Sequence, residues 1–208
     1  MRRVAVWMPR ILAPVAMVVA LTGCGIDSQF LSSADPLNAL ITIDQLVAPD
    51  FSVTTPATHV GAAGLAAGDP AIASALAHDG LQSAARVEYQ RDVDFSTSNG
   101  PIDVVATAQR FAGVSGASSA YSANVRQLDA IVGAVAASTG PLGDEAHSIS
   151  VIRTTAGGLQ AVEITVVWRV GNLVNIIVAR GRYGGTRLDD ALVLAALQTK
   201  NELPPGAA

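Results

Sequence analysis

The chain has 208 residues, with 13 bases against 17 acids, a single cysteine and half of its residues apolar. Three of the bases (Arg2, Arg3 and Arg10) fall in the first 23 residues, so the remaining 185 carry 10 bases against 17 acids, a formal charge of −7. That balance argues against nucleic-acid or anionic-membrane binding through bulk charge, one cysteine rules out an internal disulfide, and the length suits one domain with a sizeable core.

The basic start leads into an uncharged apolar run, Ile11 to Leu21, which reads ILAPVAMVVAL. This is the pattern of an export signal. The run is interrupted by Pro14 and is much shorter than the roughly 20 residues that span a bilayer. Leu21-Thr22-Gly23-Cys24 follows it. Thr22 and Gly23 are small enough for a peptidase to accept, and Cys24 supplies a thiol to alkylate. These four residues resemble the lipobox of bacterial lipoproteins. The resemblance implies a diacylglyceryl group on Cys24 and cleavage just before it. It makes residues 1–23 a signal peptide and places the protein on the outer side of a cell membrane, held by lipid. Cys24 is also the only thiol in the chain, and lipidation would consume it.

Residues 24–36 read as the lipidated cysteine and a polar tether, residues 37–203 as one domain, and residues 204–208 as a tail. Within the domain a helix is expected from Leu37 to Leu46, then irregular chain over 48–69, where Pro49, Pro56 and several glycines break any period. Asp69-Pro70 reads as a helix N-cap followed by proline at the first helical position, and Gly80 ends that helix. From Arg86 the period becomes two: Val87, Tyr89, Val93 and Phe95 share one face of a strand. Ser96 to Pro101 turns, Ile102 to Phe111 returns, and residues 117–136 resume a helical stripe through Tyr121, Val125, Leu128, Val132 and Val135. Strands follow over Glu145–Thr154 and Leu159–Val170.

The two-residue loop Gly171-Asn172 matches strand twist. It sets Val170 opposite Leu173, Trp168 opposite Asn175 and Glu163 opposite Arg180. The return strand, LVNIIVA, is apolar on both faces and is expected to be central and covered on both sides. Thr186 and Asp189 open the last helix in the manner of a capping box. The order α, α, β, β, α, β, β, β, α predicts an α+β domain, an antiparallel sheet of about five strands with helices packed on it. By element order it resembles the Mog1/PsbP-like exported lipoprotein domains, a resemblance that implies the same sheet-and-helix arrangement and brings no site residues.

Three stretches hold the chemistry-bearing residues. Arg180, Arg182, Gly184, Gly185 and Arg187 form the one basic concentration, beside a helix start, where an anion or lipid head group would be favoured; solvated surface arginines are the alternative. Asp144, Glu145 and His147 lie within four residues and could hold a cation or act as acid and base, or simply make a solvated turn; His59 and His78 have no motif around them. Ser115, in Gly113-Val114-Ser115-Gly116-Ala117, brushes against the hydrolase elbow but lacks the final glycine, and Ser115 or Ser118 as a helix N-cap explains it equally. No catalytic, metal or cofactor motif emerges. The expectation is a non-catalytic, lipid-anchored extracytoplasmic domain binding a small apolar or amphiphilic envelope ligand. A sensor or assembly module for a membrane-protein partner is the alternative, and an envelope hydrolase a third.

Overall fold

The computed structural model describes residues 31–202. The expected signal peptide, Cys24, most of the tether and the tail over 204–208 lie outside the described residues. Seven strands make one antiparallel sheet: β1 (Phe51–His59), β2 (Leu81–Arg91), β3 (Asp103–Phe111), β4 (Ala134–Ala137), β5 (Glu145–Thr154), β6 (Gln160–Val170) and β7 (Leu173–Arg182). Their spatial order is β1-β2-β3-β7-β6-β5-β4, which puts β7 at the centre. The helices are α1 (Pro36–Ala39), α2 (Ala62–Leu65), α3 (Pro70–His78), α4 (Val114–Asp129) and α5 (Leu188–Glu202).

The α+β class and the central hairpin follow the sequence reading: Val170 pairs with Leu173, Trp168 with Asn175, and Glu163 with Arg180. The sheet has two more strands than the expected five, and each extra strand has a physical reason. β1 is an edge strand in which only Phe51 and Thr55 are even half-buried, so it carries no alternating apolar signal. Pro56 falls where the register to β2 shifts between Thr55 and Thr58, a position at an edge where a missing N–H is tolerated. β4 lies where the helical stripe was expected to continue to residue 136. The helix stops at Asp129, Gly133 adopts φ +82°, and Val132 and Val135 are left 94% and 63% exposed.

The expected first helix over 37–46 is instead the four-residue α1 and a separate 3-10 turn at Ile43–Gln45. Leu40 takes a non-helical ψ of 142°, which ends α1, and Leu40 and Ile41 are both buried in the extended link that follows. β2 begins at Leu81 rather than Arg86 and ends at Arg91. Beyond it the Asp94 carboxylate accepts the Ser96 N–H and hydroxyl, both at 2.8 Å, a turn that takes Val93 and Phe95 out of the sheet. Asp69 caps α3 as expected, accepting the N–H groups of Ala71 and Ile72. The other caps differ. α4 is capped by Gly113, not by Ser115 or Ser118. At α5 the Asp190 carboxylate, rather than Asp189, accepts the Arg187 N–H at 2.9 Å, while the Thr186 hydroxyl donates to Gly100 O.

Each face of the sheet has its own core. On one, Val87, Tyr89, Trp168 and Ile177 pack beneath Leu194 and Ala195 of α5. On the other, Phe111, Val167 and Val174 pack beneath Leu76 of α3 and Ala117 and Tyr121 of α4. Burial of each large aliphatic or phenyl side chain in these layers contributes about 1.5–3 kcal/mol. Both cores and all seven strands lie within the described residues, so a chain beginning at residue 25 keeps the whole folded unit. On the α5 face Leu173, Asn175, Ile177 and Ala179 of the central strand are all buried. The α4 face is covered at its Phe111 end and open further along, where Ile176 and Val178 of the central strand remain half-buried. Coverage of β7 on both sides therefore holds for only part of its length.

Candidate functional site

The open half of that face forms a cleft of about 490 Å³, within the roughly 300–1,000 Å³ typical of small-molecule sites. Its floor comes from neighbouring strands: Val105 pairs with Val178, Thr107 with Ile176, and Arg86 with Thr107. Its walls are α3 and α4, which present Ala75, Ala120 and Ala123 where larger residues would have filled the space. Gly116 lets the start of α4 approach α3, since a Cβ there would collide with the carbonyl oxygen of Asp79.

Polar groups interrupt this apolar surface. Gln109 lines the cleft, is 3% exposed, and its Oε1 has no hydrogen-bond partner. Arg86 also lines it; one guanidinium nitrogen lies 2.6 Å from Glu88, whereas the buried Nε has no partner. At the far end Arg180 is held by Glu163 at 2.6 Å and Asp103 at 2.8 Å. Burial alone would lower its pKa, but the hydrogen bonds and charges of these two carboxylates outweigh that and raise it.

Of the expected head-group residues, only Arg180 reaches the cleft. Arg182 turns to the preceding loop, where its Nε donates to Ser98 O at 3.1 Å. Gly184 supplies a positive φ of +81° for the turn. Gly185 is needed because a side chain would strike Ser98 O, and its N–H, like that of Thr186, is donated to Arg182 O. Arg187 is exposed. The N–H groups of Tyr183, Gly185, Thr186 and Arg187 thus close on the protein itself.

The other stretches separate as well. Asp144 and Glu145 both pair with Arg169, at 3.0 and 2.8 Å, and His147 meets Asp129 of α4 at 2.9 Å. His59 lies 3.3 Å from Asp35. Ser115 is exposed on α4. Among the described residues no group of three or more His, Cys, Asp or Glu side chains could hold a metal ion, and no helix is long and apolar enough to cross a membrane.

Sequence reading missed a polar cluster beneath α5. Gln198 Nε2 donates to Thr107 O at 3.0 Å and to Asn175 Oδ1 at 3.1 Å. One helical turn later Glu202 is 6% exposed. Burial pushes its carboxyl well above the usual carboxylate range, and the nearby Asn175 amide offsets only part of this. Neither Glu202 oxygen has a donor in hydrogen-bonding geometry. The i, i+4 spacing of Gln198 and Glu202 on the buried stripe of a C-terminal helix was the available signal.

No protein-family model matches the chain, and no curated protein matches it. Among solved structures, the extracellular domain of PknH from Mycobacterium tuberculosis is similar over 78% of this chain and 91% of that one, with 10% identity and a TM-score of 0.46.

Proposed function

We propose that this chain is a lipid-anchored, extracytoplasmic, non-catalytic domain that takes a small apolar or amphiphilic envelope ligand into the cleft between α3, α4 and the sheet. The observation that carries this reading is the cleft itself: a floor on the central strands where Val105, Ile176 and Val178 are joined by a buried Gln109 whose Oε1 has no partner. Ligand sites combine apolar lining with a few placed polar groups in this way. Asp144 and Glu145, the two acids expected beside His147, are taken up by Arg169, and this supports binding over acid–base chemistry at that turn. The anchor rests on Leu21-Thr22-Gly23-Cys24.

Two experiments test the two halves. Residues 25–208, purified from envelope-containing cells, should carry lipid detectable by mass spectrometry, and Ala123→Phe, which fills the cleft, should abolish that load. A load unchanged by the filling variant removes the cleft from the argument. Cys24→Ala should end fatty-acid labelling of the full chain; unchanged labelling overturns the anchor. A second reading, a module for a membrane-protein partner, is favoured by the β4 edge, where Val132 and Val135 are exposed beside a strand paired only with β5.

A further inference from the structure

Polar atoms in the cleft restrict what can occupy it. Two guanidiniums (Arg86 and Arg180) stand among four carboxylates: Glu88, Asp103, Glu163 and the cleft-lining Asp79. Each guanidinium already holds a carboxylate at 2.6 Å. An anionic head placed there would break these pairs while facing like charges, which disfavours it. The unused groups are of both kinds: Gln109 Oε1 is a buried acceptor without a donor, and Arg86 Nε a buried donor without an acceptor. Arg86 pairs with Thr107 across the strands, and Gln109 lies two residues further along β3 on the same face. Such diagonal neighbours sit about 7–8 Å apart, a span one polar head covers once the two side chains turn their buried, unpaired atoms toward it. An ammonium only donates and a phosphate dianion only accepts, whereas a hydroxyl does both without a charge.

We propose that the cleft selects an uncharged amphiphile with a hydroxyl-bearing head, its alkyl part lying on Val105, Ile176 and Val178 and its hydroxyls joining Gln109 to Arg86. This rests on the reading of the cleft as a ligand site. The test is a nuclear magnetic resonance titration of residues 25–208 with three probes below their micelle concentrations: n-octyl-β-D-glucoside, n-octyl phosphate and n-octylammonium. The glucoside should shift the amide signals of Thr107, Ala123 and Ile176 and bind at least about tenfold tighter than either charged probe. Gln109→Leu should weaken it about tenfold, the equivalent of one lost hydrogen bond. Tighter binding of the phosphate or the ammonium at these amides overturns the inference and leaves the ligand site standing. If none of the probes moves these amides, both readings fall. Should Gln109→Leu not fold, the ranking of probes on the unaltered protein still decides, and an unchanged affinity in a folded variant overturns the role of Gln109.

Discussion

Arg169 of β6 and Asp144, the residue before β5, meet at 3.0 Å with both side chains only 6% exposed. Glu145 adds a second carboxylate at 2.8 Å, Arg169 also donates to Gly171 O, and Asp144 accepts the Gly171 N–H. One buried guanidinium thereby ties the start of β5 to the β6–β7 turn. Removing one member of a buried pair leaves an uncompensated charge and costs about 3–5 kcal/mol. Asp144→Ala should therefore lower the unfolding free energy by about 3 kcal/mol in urea titrations, with Glu145 moderating the loss. The double change Asp144→Leu with Arg169→Met should cost less than the sum of the singles. Additive losses, or a single loss below about 1 kcal/mol, would show that the pair does not hold this end.

Glu202 gives the stability of the domain a pH dependence of defined sign. Its folded-state pKa is raised, chiefly by burial, so between the ordinary carboxylate value and that raised value the folded state binds more protons than the unfolded one. Stability from this group is fully present below the unfolded pKa and is lost as pH rises through the folded one. Glu202→Gln removes the titration. The variant's advantage over the unaltered chain should accordingly grow from pH 5 to pH 7.5 in parallel urea titrations. A difference that stays constant over that interval would mean the carboxyl is not buried in solution.

These two groups show what the sequence could reveal and what it could not. The period-two run of β6 was legible because Val162, Ile164, Val166, Trp168 and Val170 make one face apolar while Glu163 and Arg169 lie on the other, and a two-residue loop leaves one register to β7. β1 was hidden because an edge strand exposed on most of its length has no reason to alternate. The cleft was hidden for a related reason. Ile176 and Val178 look the same in sequence whether a helix covers them or a ligand does, and only the position of α4 shows that no helix does. The arginine-rich loop was legible as a charge concentration, but the partners that neutralise Arg180 come from Asp103 and Glu163, 77 and 17 residues away. Glu163 could be placed opposite it by hairpin register, whereas Asp103 required knowing that β3 pairs with β7.

Gly116 sets the spacing of the two helices that wall the cleft. A methyl group there would overlap the Asp79 carbonyl, backbone that cannot swing aside as a side chain would. Gly116→Ala should cost about 1–3 kcal/mol as an overpacking change and weaken binding of cleft ligands by moving α3. Ser115→Ala, one residue away on the exposed side of α4, should stay within about 0.5 kcal/mol and leave binding intact. Thermal melts of the two variants decide the point, and equal losses would remove the steric account. Full retention of ligand binding in Gly116→Ala would separate helix spacing from the cleft.

Asn172 shows how the N-terminal segment is held to the sheet. Its Oδ1 accepts the Ser32 N–H at 2.7 Å, while its Nδ2 donates to Ser32 O at 3.1 Å and to Phe111 O at 2.9 Å. Arg110 adds a bond to Ser33 O at 2.6 Å. The side chain is 3% exposed, so truncating it strands buried backbone groups, at about 1–3 kcal/mol for each group left unsatisfied. Asn172→Ala should lower stability by about 2–3 kcal/mol and speed proteolysis between Leu31 and Ala34 at temperatures where the sheet stays folded. Proteolysis that accelerates only with global unfolding would show that Asn172 supports the hairpin and not the segment.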